Sequence, residues 1–592
     1  MKLSSFLHFL VFLTSLSPAT AGIQSIWAVG DGERIEKFDR NSFLKNSNSV
    51  WDGEKVSIFG ARNEIIAFQI IVEADEVGIA ALSVSLPALT HQNSLSRLVY
   101  KPPELDPTQY VDRPIQLFSV NYMHVSNPTR AGWIYRTDVP GAPSDPTGWK
   151  PVQLVPENAP FQGGFPLRVE SLQNQAIWIE IYTGRDRPSG IYEGMIKLAA
   201  DGQEFTIPLE LKLFNFNLSE RNSIRPMFFF GPDQLSRYHG VEQRLEEQYH
   251  RFAHRNRIEL VHAYGVETAT ENLERFLGAD FQPDEGYEGP GEGIGNTIIP
   301  RTFYGPGSAF DERDSAWQTS DEWMTFLDDN LSSYLTFVYM PDEPSFDQFA
   351  GIRKIADNIH SNPGPGQDLP VFVTKWWQPA LDGWIDYWCT GPRQYDISRA
   401  ETERIKGHEY WIYNGGRPYD GAIVIDAPAT DARAIIWSCF KHGIDLYFYW
   451  HTVHWRHNHQ FGGDGERNQN IWANPITFDN GTSYANGDGV LIYPGQDLLH
   501  PEQNRGIPGP VSCMRLANFR RGLQDHLYLT LARNMGLDGL IAESLAATVP
   551  RVFSDTEENG GIGFADSEDV FERVRYRLAE AIEEARQLRR RR

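Results

Sequence analysis

The chain has 592 residues, 41% of them hydrophobic and 12% aromatic, with 16 Trp, 24 Tyr and a formal net charge of −24. It is too long for one hydrophobic core, since single cores stop growing at roughly 250–300 residues, and too apolar to be disordered. The acidic balance, with no long basic stretch before the last four residues, speaks against nucleic acid, anionic membranes and heavily sulfated polymers and favours a neutral or weakly charged partner.

Residues 1–21 read as a signal peptide. Lys2 supplies the positive start, Phe6 to Leu16 an apolar run of h-region length, and Ala19-Thr20-Ala21 the small residues before a cleavage ahead of Gly22. The run is too short to span a membrane, which takes about 20 apolar residues, and no other stretch qualifies, so stable membrane insertion is not expected. Export, to the periplasm or the medium, is the expected fate. The cysteines, Cys389, Cys439 and Cys513, make no disulfide framework. One pair could bridge, or all three could be buried thiols.

From residue 22 to about 218, short apolar runs alternate between Gly, Pro and Asn clusters, as in Ile65–Val72, Ala176–Tyr182, Met195–Leu198 and Phe205–Phe214. That pattern predicts a β-sandwich. The Pro- and Gly-rich stretch 126–165, carrying Trp133 and Trp149, reads as a long loop of the kind that often serves function.

The pattern changes near Ile224. Strands are expected at Met227–Phe230, Ile258–Tyr264, Ile298–Phe303 (the weakest), Tyr334–Met340, Val371–Lys375, Ile385–Cys389, Glu409–Tyr413 and Leu446–Trp450. Helical spacing intervenes at Val241 to Phe252, Asp321–Leu331, Phe346 to Ile359 and Ala432–Phe440, the last stopped by Gly443. About eight strand–helix units over residues 219–540 suit a (β/α)8 barrel. A doubly wound sheet alternates in the same way, but no Gly-rich phosphate fingerprint follows a strand. Residues 541–592 read as a helical extension, with an apolar stripe through Phe571, Val574, Leu578, Ile582, Ala585 and Leu588 and a charged face in water. The fold class is thus multidomain, β plus α/β.

In a parallel barrel the chemistry sits at the C-terminal strand ends. Asp342 and Glu343 stand at such an end, in Tyr339-Met340-Pro341-Asp342-Glu343-Pro344. Pro341 fixes a dihedral before the pair, and Pro344 biases Glu343 toward an extended backbone. The pair reads either as catalytic or as the acidic start of the following helix, where it would suit the helix dipole. Other strand ends carry sugar-binding residue types: His262 and Tyr264; Lys375, Trp376 and Trp377; Trp411, Tyr413 and Asn414; Tyr449, Trp450 and His451. The run His451 to His459, with Trp455, lacks the HExxH spacing and any carboxylate partner. No metal and no cofactor are expected, and the run is read as a loop that could hydrogen-bond substrate hydroxyls. A Gly-x-Ser-x-Gly elbow is absent.

Asp342-Glu343-Pro344 resembles glycoside hydrolase family 123 and its relatives with domain of unknown function 4091. Matching stretches run in order along the mature chain: Ala61-Arg62-Asn63-Glu64 with Ala67-Phe68-Gln69, Pro188 to Gly194, Trp411 to Gly415, Arg433 and Trp437, and Gly443 to Asp445. Gly487-Asp488-Gly489, Tyr493-Pro494-Gly495, and Arg515, Arg520, Gly522, Leu523 and Asp525 complete the set. The resemblance implies a sandwich followed by a (β/α)8 barrel and a retaining β-N-acetylgalactosaminidase-type reaction on a glycan or glycoconjugate. In that chemistry the substrate's own 2-acetamido oxygen is the nucleophile. Glu343 would be the general acid, and Asp342 would hold the acetamido N–H. Two alternatives remain: a glycosidase acting on a sugar without an acetamido group, with Asp386, Glu409 or Asp445 as second carboxylate, and a non-catalytic glycan-binding protein.

Overall fold

A computed structural model describes residues 22–242, 244–331, 334–457, 467–557 and 560–591. The leader expected at 1–21 and His459 of the histidine-rich loop lie outside the described residues.

The N-terminal region is two sheets sharing one apolar core. In the first sheet the strand order is Ile23–Gly30, Glu64–Ala74, Asn174–Thr183, Ile115–Val125, Gly148–Pro156, Pro510–Cys513 and Tyr493–Pro494. The second runs Val56–Arg62, Gln203–Asn217, Gly190–Ala200, Ile79–Ser85 and Leu167–Val169, with Ala88–His91 and Arg97–Val99 at its side. Trp27, Ile70 and Trp178 of the first sheet and Leu82, Ile196 and Leu209 of the second belong to the shared core. The strand sequences reflect their positions. Gly190–Ala200 alternates buried and solvated side chains over much of its length, as a sheet with one wet face must. Glu64–Ala74 is buried at every residue, because its outer face meets the helix Met514–Met535. There Gln524 accepts from the Ile65 N–H (3.1 Å) and donates to the Ile65 carbonyl (3.0 Å). The last two strands of the first sheet lie far along the chain, so this sheet is finished by residues from beyond 490.

Between Arg225 and Tyr449 the strands form one parallel sheet, in the order Glu259–Val261, Arg225–Phe229, Leu446–Tyr449, Glu409–Tyr413, Tyr387–Thr390, Val371–Thr374 and Val338–Tyr339. The weakest expected strand, Ile298–Phe303, is not regular. It pairs with the segment before Val338 through Ile299 N–H to Leu335 O (2.8 Å) and Arg301 N–H to Phe337 O (3.0 Å). On its other edge the Pro300 carbonyl accepts from the Tyr264 N–H at 2.9 Å. Pro300 has no N–H to return, which is why the ladder there is interrupted. One expected unit also departs from the pattern: between Val371–Thr374 and Tyr387–Thr390 the chain makes only a single 3₁₀ turn, Pro379–Leu381. The other strand-to-strand connections carry helices, among them Arg313–Asn330, Phe349–His360 and Asp431–His442. Among the described residues no helix is long and apolar enough to cross a membrane. Cys389, Cys439 and Cys513 are all free and buried.

The expected solvated charged face of the last helix, Glu568–Arg591, is in part a buried network. Glu64 accepts from Arg521 (2.8 Å), Arg575 (2.7 Å), Tyr528 (2.6 Å) and the Ala61 N–H (2.7 Å). Arg575 also pairs with Glu572 (2.6 Å), and Arg433 with Asp525 (2.9 Å) and Glu572 (3.0 Å). The N-terminal sheets, the helices packed on the parallel sheet and the last helix are thereby tied together by charges that water does not reach.

Burial also sets an acid limit to stability. Desolvation pushes His239, His250 and His526 down to about 3 and His254 down to about 4, below the ordinary histidine value of about 6.5. Below pH 6.5 the unfolded chain takes up protons that the folded chain refuses. The contribution of these histidines to stability therefore falls as pH drops from about 6.5 toward 4, while the carboxyls of Glu33, Glu157 and Glu409, pushed up to about 7 by burial, act in the opposite sense. The thermal midpoint of His526→Gln should lose less than that of wild type over that interval; equal losses in the two proteins would contradict the assignment.

Candidate active site

Asp342 and Glu343 follow the C-terminal end of Val338–Tyr339, and both are exposed. Around them stand groups from the ends of neighbouring strands. Asp342 Oδ1 accepts from the Tyr339 hydroxyl (2.8 Å) and from the Thr374 hydroxyl (2.8 Å), the last residue of the next strand. Glu343 Oε1 accepts a short hydrogen bond from Tyr413, the last residue of Glu409–Tyr413. Each carboxylate is thus steered through one oxygen, with Oδ2 and Oε2 outside these bonds.

The backbone of Glu343 departs from the expected extended form: its φ is +43°. Its N–H donates to Thr374 Oγ1 at 2.9 Å, and this bond holds the left-handed turn that delivers the carboxylate to Tyr413. Tyr304 (φ +54°) and Asn414 (φ +59°) take the same unusual conformation. All three follow C-terminal ends of strands or of the irregular strand-like segment. Strain of about 1–3 kcal/mol per residue concentrates where a structure presents groups for chemistry.

A second limb runs from Asn414. Its Oδ1 accepts from the Trp450 N–H at 3.2 Å, and the Trp450 carbonyl accepts from the Tyr304 hydroxyl at 2.5 Å. The Trp450 indole donates to Asp488 at 2.8 Å. Asp488 sits in a turn secured by Arg515, which donates to the carbonyls of Gly487 (2.5 Å) and Val490 (2.7 Å). His451 packs edge-on against Phe229 at 5.1 Å. Burial drives its pKa well below the ordinary value, so it is a neutral imidazole at pH 7. Burial raises the phenols of Tyr304, Tyr339 and Tyr413 well above 10, with the neighbouring carboxylates adding to the shift, so all three remain hydrogen-bond donors.

Of the residues expected from sequence, the structure brings together Asp342, Glu343, Tyr413, Asn414, Trp450 and His451. Trp376 lies two residues beyond Thr374 and is 40% exposed, with Lys375 over its ring at 4.4 Å. His262 is tilted against Tyr264 at 4.3 Å and donates to or accepts from no residue of the carboxylate group. Three expectations are corrected. Trp411 is fully buried and its indole donates to Asp445 (2.8 Å), which precedes Leu446 at the opposite strand ends. Trp455 is fully buried and donates to the Ile492 carbonyl (3.0 Å). Tyr264 is buried against Phe276. Trp411 and Tyr413 are two residues apart and share a face of their strand; Trp411 lies deeper, nearer the start of the strand, where it packs against Phe372 and bonds Asp445. The residues missed were Tyr304, Tyr339, Thr374 and Asp488. Tyr339 and Thr374 could have been found as polar groups closing apolar strands.

Among the described residues, Asp31, Glu568 and Glu572 bring carboxylate oxygens within 4.8 Å of one another. Arg521 pairs with Asp31 (3.0 Å), and Arg433 and Arg575 pair with Glu572, so this cluster belongs to the buried ion network. A cavity of about 270 Å³ opens at the starts of the strands, among Arg225, Glu259, Arg257 and Asp445. It lies at the other end of the sheet from the carboxylate pair, and geometry places the chemistry with the pair.

The family model described as "Glycoside hydrolase 123, catalytic domain" matches residues 324–532, a span containing both carboxylates, Tyr413, Trp450 and Asp488. Among solved structures, a family 123 glycoside hydrolase from Clostridium perfringens is similar over 95% of this chain and 97% of its own, at 12% identity and a TM-score of 0.62. A Parabacteroides merdae β-glucuronidase is 11% identical over 75% of this chain and 52% of its own, at a TM-score of 0.26 that carries no argument. Among curated proteins none matches. Residues 324–532, which hold the carboxylate pair, match the glycoside hydrolase 123 catalytic domain, and the chain is a glycoside hydrolase.

Proposed function

We propose that the chain is an exported, retaining β-N-acetylgalactosaminidase-like enzyme that uses the substrate's 2-acetamido group as nucleophile. The observation that carries this reading is the pair itself: two adjacent carboxylates, each steered by hydroxyl donors through one oxygen and each exposed at the mouth. In this mechanism Glu343 gives its proton to the glycosidic oxygen as the C1–O bond breaks. The acetamido oxygen forms its bond to C1, and Asp342 accepts the acetamido N–H and balances the oxazolinium charge. Water then attacks C1 as the bond from C1 to the acetamido oxygen breaks, and it gives its proton to the Glu343 carboxylate, restoring the acid. The Clostridium perfringens structure is described in connection with glycolipid glycan hydrolysis, which fits a glycoconjugate substrate here. The scaffold would be a (β/α)8 barrel in which segment 297–302 serves as the eighth staff.

The alternative on a sugar without an acetamido group needs a second carboxylate across the cleft. Asp386, Glu409 and Asp445 were its candidates. Asp386 precedes Tyr387, Glu409 opens its strand and Asp445 precedes Leu446, so all three lie at the starts of strands, away from Glu343. A thiazoline that copies the oxazoline intermediate should inhibit hydrolysis of an aryl N-acetyl-β-galactosaminide at least 10²-fold more tightly than the substrate binds. No inhibition, with equal cleavage of the matching 2-hydroxy sugar, would remove substrate assistance.

A further inference from the structure

Trp133 is 46% exposed although its segment is firmly held. It lies on the long loop that the sandwich region sends across to the barrel. Arg130 and Tyr484 exchange both backbone hydrogen bonds (2.8 and 3.1 Å), and the Arg417 N–H donates to the Ile134 carbonyl at 2.7 Å. Tyr135 and Thr129 both donate to Asp426 (2.7 and 2.8 Å). The backbones of Trp133 and Gly416 approach so closely that a Cβ on Gly416 would come within 2.4 Å of the Trp133 carbonyl oxygen. The apolar packing under this loop is made by Ala131, Ile134, Tyr135, Ala422 and Val424. A rigid loop thus spends its largest ring on the surface, where it adds little to the fold.

That ring leads to the active site. Trp133 stands edge to face with Phe478 at 5.8 Å, and Phe478 edge to face with Trp450 at 5.9 Å. Trp450 is already fixed by Asn414 and Asp488. Three rings from three separate segments therefore form one track from the carboxylate pair outward. Its direction follows from Glu343, the group that serves the leaving oxygen. Glu343 is bound by Tyr413, and the loop that Tyr413 begins carries Gly416 under Trp133.

We propose that Trp133, with Phe478, forms a carbohydrate subsite on the leaving-group side, so that the substrate is an oligosaccharide whose next pyranose rings stack on this track. Exposed apolar surface continuous with a catalytic mouth marks a ligand groove, and a flat ring offers the apolar face of a pyranose a large contact area. The inference rests on the acetamido-sugar reading above.

The test compares kcat/KM on a trisaccharide ending in β-linked N-acetylgalactosamine with kcat/KM on an aryl N-acetyl-β-galactosaminide. Wild type, Trp133→Ala and Trp133→Phe are measured, each checked for an unchanged thermal midpoint. The trisaccharide-to-aryl ratio should fall about tenfold in Trp133→Ala, through KM on the trisaccharide, and return to within about threefold in Trp133→Phe, which keeps a ring. An unchanged ratio in Trp133→Ala, with both substrates cleaved by wild type, overturns the subsite and leaves the mechanism standing. If wild type cleaves neither substrate, the mechanistic reading fails. The subsite is then judged on a glycan array with Glu343→Gln protein: loss of the retained oligosaccharide in the Trp133→Ala double variant supports it. Equal retention, or no retained glycan at all, overturns it.

Discussion

Glu343→Gln should lower kcat on substrates with poor leaving groups by about 10²–10⁴-fold, the usual worth of general acid catalysis. The substitution keeps the acceptor that Tyr413 uses and removes only the transferable proton, so folding is not at stake. An aryl leaving group of low pKa departs with little protonation, so the loss there should be much smaller. Asp342→Asn tests the other half of the pair. It removes the charge that balances the oxazolinium and reverses the hydrogen-bond polarity toward the acetamido N–H. Its loss should therefore be similar for good and poor leaving groups. The measurement is a series of aryl N-acetyl-β-galactosaminides of graded leaving-group pKa. A steep dependence for Glu343→Gln beside a flat offset for Asp342→Asn supports the assigned roles. Equal slopes for the two variants would show that the roles are wrongly divided.

The sequence made the carboxylate pair legible for a plain physical reason. Two acids between two prolines at the end of an apolar strand have few places to go except a solvated mouth. Tyr413, Asn414, Trp450 and His451 were legible by the same position rule. Trp411 and Trp455 were not, because residue type near a strand end does not report how deep the side chain sits: Trp411 shares its strand face with Tyr413 but lies two residues deeper, bonded to Asp445. Thr374 and Tyr339 carried no motif. Both hold Asp342, and Thr374 also takes the Glu343 N–H at a positive φ that no propensity rule anticipates ahead of Pro344. The weak third strand is explained by Pro300, and the missing helix after Thr374 by a connection of a dozen residues that holds Gly, Pro and three Trp but no apolar period.

The ordered motifs that carried the family resemblance divide into two kinds. Gly487-Asp488-Gly489 and Arg515 act on the site, since Arg515 holds the turn from which Asp488 anchors Trp450. Glu64, Arg433, Trp437, Arg520 and Asp525 are elsewhere. Arg520 bonds Asn256 (2.9 Å) and pairs with Glu180 (2.5 Å), while Trp437 and Arg433 share Asp525 (2.9 Å each). Glu64 and Arg520 join the N-terminal sheets to the helix Met514–Met535, which also presents Arg515, and Arg433, Trp437 and Asp525 join that helix to Asp431–His442. A chain of polar contacts thus connects the packing of the two regions with the posture of Trp450.

Glu64→Ala should therefore destabilise the protein by about 3–5 kcal/mol, the cost of removing one partner from a buried ion pair. Glu64 is fully buried and receives two guanidinium groups, a phenol and a backbone N–H. Alanine leaves the phenol and the N–H without an acceptor. Arg521 keeps Asp31 and Arg575 keeps Glu572, so each arginine loses part of its compensation rather than all. Arg575→Leu alone should also destabilise, because it strips a donor from Glu64 and Glu572 together. If the network acts as a unit, the double variant Glu64→Ala/Arg575→Leu should cost less than the sum of the two single changes by at least about 1 kcal/mol, since contacting groups couple and removing both members relieves the buried charge. Urea unfolding of the four proteins, followed by tryptophan fluorescence, measures that coupling. Additivity within about 0.3–0.5 kcal/mol would mean that Glu64 contributes by packing alone and that the charges holding the two regions together act independently.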